Sequence, residues 1–164
     1  MQKWGTPMEY KLVADSCCDL TKEMRQEWGV TSVPLTLTLA EKEFTDDDNL
    51  DLPQFMAEMK ACKGRVGSAA PAPGSYADAF KGANAFAVTL SSSLSGSYAS
   101  ALLAKSELQE RYPERKIFVV DSLGASSGYG LMIDTLADLR DSGMSLEDAA
   151  AWIEAHKLNM HHWF

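Results

Sequence analysis

Three short apolar runs punctuate the chain: YKLVADS at 10–16, AFAVTLSSS at 85–93 and KIFVVDS at 116–122. Each ends on Asp or Ser. Runs of this length without alternation predict strands buried on both faces. Between them the apolar spacing changes to three and four residues. That period predicts helices over 19–29, 46–62, 95–110, from 128 to Gly143, and from Ser145 to about Lys157. Thr21 is placed to cap the first of these and Gly29 to stop it. Phe55, Met56 and Met59 share one side of the second, with Pro53 in its early turn. The third puts Tyr98, Ala101, Leu102 and Leu108 on one face, and the fourth Gly128, Leu131, Met132, Thr135, Leu136 and Leu139. SLED at 145–148 has the capping-box pattern of a helix start. The stretch TSVPLTLTLAEKEFTD (31–46) alternates apolar and hydroxyl residues, which predicts a strand with an antiparallel return arm over 33–46. GRVGSAAPAPGS (64–75) predicts an ordered loop, and SYADAFKGA resumes a helical pattern. Strands alternating with helices predict an α/β fold, a mostly parallel sheet with helices on both faces. The expected organisation is a loose leader over 1–9, one α/β domain over 10–158, and the start of a further domain at 159–164.

Composition narrows the function classes. The 164 residues are 46% hydrophobic, enough for a core without disulfides or metals. A formal net charge of −8 with no Lys/Arg cluster argues against nucleic acid and against anionic membrane surfaces. No apolar run reaches the roughly 18 residues of a spanning helix, and the N-terminus lacks an apolar signal-peptide segment. The expectation is a cytoplasmic protein with no stable membrane insertion. Of the three cysteines, Cys17 and Cys18 are adjacent and Cys62 is distant, with no CxxC. They read as small buried hydrophobes, or as a reactive thiol at Cys17 or Cys18. The acid run Asp46–Asp48 reads as a solvated helix start, with cation binding as the alternative.

In parallel sheets, ligands collect beyond the carboxyl ends of the strands. Here those ends carry Asp15-Ser16, Ser91-Ser92-Ser93 and Asp121-Ser122, and the loop with Ser68 also precedes a helix. Any one of these residues reads first as a plain cap, but four such ends together, with hydroxyls beside helix N-termini, suit an anion. An enzyme reading has less to build on. SLSGS at 93–97 lacks the leading glycine of a nucleophile elbow. The histidines, His156, His161 and His162, lie in the last nine residues without an evident orienting acid or a third metal ligand.

Four motifs in order, ADSCCDL (14–20), SAAPAPGSY (68–76), LSSSLSGSYASA (90–101) and VVDSLGASSGYG (119–130), resemble the DegV family of bacterial fatty-acid-binding proteins. The resemblance runs from about Tyr10 to the C-terminus, and the SLSGSY block is its most specific part. It implies the N-terminal domain of a DegV protein, a non-enzymatic carrier. Such a carrier holds a long-chain fatty acid and presents it to the catalytic subunit of a fatty acid kinase. It also implies that the ligand carboxylate meets the hydroxyls of Ser68 and Ser95 and the backbone at Gly96. Ser16 and Ser122 stand on the same rim, and no metal or cofactor is called for beyond the bound acid. Ser68, Ala69 and Ala70 replace the family's usual T-S-Q. Phe86, Tyr98, Leu102, Leu131 and Met132 are candidate walls for the acyl chain. The family's second domain, with its G-G-R motif, has no counterpart here. The chain is therefore expected to show an apolar face and to self-associate through it. Two other readings remain open: a serine hydrolase using Ser93 or Ser95, and a truncated domain with an interaction role alone.

Overall fold

The computed structural model describes residues 10–159. The expected leader, 1–9, and residues 160–164, which include His161 and His162, lie outside them. β1 (Tyr10–Asp15) closes in a 3-10 turn over Ser16–Cys18. α1 (Lys22–Trp28) follows. The Thr21 hydroxyl accepts the Met24 amide at its start, and Gly29 ends it at φ 63°. Next come β2 (Val30–Val33), β3 (Thr36–Leu39), β4 (Lys42–Thr45) and α2 (Leu52–Ala61). β5 (Val66–Ala69), α3 (Pro73–Ala79), β6 (Asn84–Thr89) and α4 (Ser97–Arg111) succeed them. β7 (Ile117–Asp121), α5 (Ser127–Asp141), α6 (Leu146–His156) and a 3-10 turn over Lys157–Asn159 complete the described fold. Ser145 opens α6 as expected, its hydroxyl accepting the Asp148 amide.

The main sheet has the order β2-β1-β6-β7, parallel throughout. Its register aligns Asp15 with Val33, Ala14 with Val88, and Thr89 with Asp121, so β1, β6 and β7 end along one rim. Each strand feeds both faces by its period of two. Leu12, Ala14, Phe86, Val88 and Val120 meet Tyr129, Met132, Ile133, Leu136, Ala149 and Ile153 of α5 and α6. Val13, Val33, Ala85, Ala87 and Ile117 meet Tyr76, Phe80, Ala101, Ala104 and Leu108 of α3 and α4. Helices thus cover both faces, as the apolar runs require.

A second, antiparallel sheet of order β4-β3-β5 holds the return arm. Three details depart from expectation. The alternating stretch is not one strand: Val30–Val33 joins the main sheet, and Pro34, which lacks an amide hydrogen, marks the break before β3. Residues 66–69, expected as loop, form β5 through pairing with β3, although Gly67, Ser68 and Ala69 have no strand preference of their own. α2 begins at Leu52 rather than 46, because Asp51 caps it and Pro53 occupies its first turn. The acid run precedes it as a turn. Asp48 there pairs with Arg25 and Lys22, and Asp47 accepts the Asn49 amide.

The α5 face is crossed closely by the chain after β1. A Cβ at Gly130 would stand 2.8 Å from the Cys18 carbonyl oxygen and 3.4 Å from the Leu20 side chain. Gly130→Ala is expected to cost about 1–3 kcal/mol by overpacking. Gly74→Ala, where nothing lies within 4 Å, stays within about 0.5 kcal/mol of the parent. Urea unfolding midpoints check both.

Candidate functional site

The strand ends form the rim through a set of buried polar contacts. Asp15 closes β1 and is fully buried (0% exposed). Its carboxylate accepts the Leu90 amide at 2.8 Å, the Cys17 amide at 3.3 Å and the Tyr76 hydroxyl at 3.5 Å, together with the Tyr129 hydroxyl. Burial pushes its carboxyl above the usual carboxylate range, against the pull of these donors. Burial likewise pushes the Cys17 thiol up to about 12 and the Cys18 thiol up to about 11, with the Asp15 charge adding to both. Such shifts favour the protonated thiol over the nucleophilic thiolate.

Asp121, at the end of β7, is tuned the other way. Burial alone would raise its carboxyl. The amides of Ser92 (3.0 Å) and Leu123 (3.1 Å) and the nearby Lys157 ammonium hold it below the usual range. These bonds tie the loop after β6 to the loop after β7, and the Ser91 amide adds another to the Gly124 carbonyl at 2.9 Å.

The loop from Leu90 to Gly96 carries the central hydroxyls. Ser91 is buried, and its carbonyl accepts the amides of Leu94 and Ser95 at 2.9 and 3.0 Å. Ser95 Oγ lies 3.0 Å from Ser97 Oγ and accepts the Ser97 amide at 3.1 Å, at the N-terminus of α4. Ser95 is half-buried and Gly96 exposed. A Cβ at Gly96 would stand 3.6 Å from the Ala70 Cβ. The turn therefore rests against the residue that follows β5, where Ser68 is exposed and pairs with Leu37. The fold thus brings Gly96 and the end of the Ser68 strand together, although 28 positions in sequence separate Ser68 from Gly96.

Ser16 and Ser122 have structural partners. Ser16 Oγ accepts the Leu35 amide at 3.1 Å, which pins the break between β2 and β3. Ser122 is buried; its hydroxyl donates to the Gly124 carbonyl at 3.2 Å and accepts the Gly124 amide at 3.1 Å. Among the candidate acyl-chain walls, Phe86 and Met132 sit in the core and Tyr98 is half-buried. Leu102 and Leu131 face outward, 37% and 60% exposed. α4 buries Ser97, Ala101, Ala104 and Leu108 instead, and α5 buries Tyr129, Met132, Ile133, Leu136 and Ala137. A polar cleft of about 890 Å³ lies between α1, β2 and the acid turn, with Ser16, Arg25, Pro34 and Asp48 on its walls.

Ser95 Oγ has Ser97 as its partner. His156 is committed to its own helix, where Nδ1 donates to the Trp152 carbonyl at 2.7 Å and the ring stacks on Trp152 at 4.1 Å between centroids. Among the described residues no group of three or more His, Cys, Asp or Glu is arranged to hold a metal ion, and no helix is long and apolar enough to cross a membrane.

The DegV family model, described as an uncharacterised protein family, matches residues 9–164. The chain belongs to the DegV family. A DegV domain-containing protein of Streptococcus pneumoniae is 42% identical over 153 residues, 92% of this chain and 54% of its own length. Among solved structures, the Streptococcus pneumoniae fatty acid kinase B3 protein loaded with linoleic acid is similar at TM-score 0.84 and 40% identity, covering 92% of this chain and 55% of its own. A DegV family protein of Ruminococcus gnavus with vaccenic acid matches at TM-score 0.84 and 31% identity, covering 90% and 54%. The chain spans about half the length of the DegV relatives it matches.

Two residues behind the DegV rim were not singled out by sequence reading. In the sequence Asp15 reads only as a strand end, and Ser97 only as a position within the helix predicted over 95–110. The available signal was an acid closing an otherwise apolar strand, since buried acids need dedicated donors.

The opposed tuning of the two rim acids gives a pH signature. Asp121, held low, contributes stability that is present above its unfolded value near 4 and lost as pH falls through its folded value. Asp121→Asn is expected to cost about 1 kcal/mol at neutral pH. The gap to the parent should close as the pH falls below the usual carboxylate range, as read by urea midpoints across pH.

Proposed function

We propose that this chain binds one long-chain fatty acid and presents it to a separate fatty acid kinase subunit. Its DegV fold and the fatty acids carried by solved relatives support the class of ligand. The observation that carries the site is the seating of the Ser95–Gly96 turn against Ala70, beside the strand that bears Ser68. In this reading the carboxylate accepts from the hydroxyls of Ser68 and Ser95 and from backbone amides at Gly96 and the α4 N-terminus. Such donors suit an anion without a permanent cation. Ser16 and Ser122 act one step back, by fixing the loops of the rim.

The acyl chain supplies the affinity. At roughly 0.8 kcal/mol per buried methylene, a chain of about 16 carbons contributes on the order of 10 kcal/mol when fully buried. The polar head sets orientation. Leu94 and Leu123, 69% and 47% exposed on the rim loops, offer apolar surface for the start of that chain. Without ligand, the same surface favours self-association.

Native mass spectrometry of the full chain purified from bacteria is expected to show a co-purified acyl mass. The double variant Ser68→Ala/Ser95→Ala should retain it at least about ten-fold less well, on the basis of two lost bonds to a charged group. A full chain that carries no acyl mass and binds no added oleate refutes the reading.

A further inference from the structure

One oxygen at the end of β7 holds two loops of the rim. Asp121 Oδ1 accepts the Ser92 amide at 3.0 Å and the Leu123 amide at 3.1 Å. Ser92 belongs to the loop after β6 and Leu123 to the loop after β7. The Ser91 amide adds a bond to the Gly124 carbonyl, and the Ser122 amide one to the Thr89 carbonyl at 3.3 Å. Ser91, Asp121 and Ser122 are all buried. Beyond them the serine loop turns outward, and Ser92, Ser93, Leu94 and Gly96 are exposed. Its shape rests on Ser91, whose carbonyl accepts the Leu94 and Ser95 amides and whose hydroxyl accepts the Ser93 amide at 3.3 Å. Ser95 therefore stands on a tight turn anchored at residues 91 and 92. On the other loop, Leu123 has φ 55°. That left-handed conformation is strained for an L side chain and persists only where neighbouring bonds hold it. From the end of α6, the Lys157 ammonium donates to the Asp121 carbonyl at 3.4 Å and steadies the strand end itself.

A carboxylate suits this place because it only accepts, and one of its oxygens can take two amides. Apolar packing cannot fix a loop whose side chains face water. We infer that Asp121 is a positioning residue for the ligand acid. Through one oxygen it sets both the Ser95 turn, which meets the carboxylate, and the outward Leu123 side chain, which meets the start of the acyl chain. The polar and apolar contacts of the ligand head thus stand in fixed relation before the ligand arrives, and binding is relieved of the cost of ordering the turn. The Leu90 amide on Asp15 fixes where the serine loop leaves β6; Asp121 fixes where it turns. This inference rests on the fatty-acid reading above.

Isothermal titration of the delipidated full chain with sodium oleate at neutral pH tests it, beside amide hydrogen exchange of the ligand-free protein. Asp121→Ala should weaken oleate binding about ten-fold. The Leu94 and Ser95 amides, which are bonded to Ser91 and not to Asp121, should exchange at least about ten-fold faster in that variant. Asp121→Asn keeps an accepting oxygen and should bind oleate within about three-fold of the parent. Ile117→Val, at the opposite end of β7, loses comparable stability without touching the rim. It should leave both the affinity and the exchange of the two amides as in the parent. If Asp121→Ala does not fold, Asp121→Ser takes its place with the same expectations. Parent-like exchange at Leu94 and Ser95 in the Asp121 variant, or an equal loss of affinity in Ile117→Val, overturns the positioning role and leaves the fatty-acid reading standing. No binding of oleate by the parent overturns both.

Discussion

A single carboxylate deep in an apolar sheet sets the terms for everything around it. An unpaired charge in such surroundings is among the most costly things a fold can hold. Asp15 is made tolerable by donors from four places: the turn after β1, the loop after β6, α3 and α5. Each donor fixes the element it comes from. Tyr76 and Tyr129 approach from opposite faces of the sheet, so the acid also registers the two helical layers against one another. The Leu90 amide sets where the serine-rich loop leaves β6. The geometry of Ser95 is therefore inherited from the solvation of Asp15.

Asp121 shows the alternative arrangement at the end of β7, on the other side of β6. It is stabilised by two backbone amides and lies near an ammonium group, so it remains a charged clamp between loops. Two acids at the ends of β1 and β7, the strands on either side of β6, thus have different chemistry because Asp15 is the more deeply buried and Asp121 is held by amides with a cation nearby.

The main sheet was legible because its strands are apolar on both faces and its helices carry local punctuation. Thr21, Gly29 and Ser145 each do in the structure what their residue types favour. β5 was hidden because Gly67, Ser68 and Ala69 become a strand only by pairing with β3, a contact between distant segments. The faces of α4 and α5 were misjudged for a related reason. Leu102 and Leu131 look like core by residue type, but α4 and α5 turn Ser97 and Tyr129 inward instead, and Tyr129 reaches the Asp15 carboxylate. At the site, hydroxyls at strand ends pointed to the rim. Their division into structural and outward-facing groups depends on partners such as the Leu35 and Gly124 amides, which no local motif encodes.

The two sides of the sheet are also built to different tolerances. On the α3–α4 side, Ala85 and Ala87 of β6 and Ala101 and Ala104 of α4 form a patch of methyl groups within a core that also holds Tyr76, Phe80 and Leu108. On the α5–α6 side, Phe86, Tyr129, Met132 and Leu136 fill the interval with large side chains. A seam of alanines has no rotamers with which to rearrange, so an added methylene there drives two layers apart. Methionine and leucine can repack around a change in volume. Added volume at these four alanines has nowhere to go without moving a layer, whereas the Met132 and Leu136 region can absorb a change of shape.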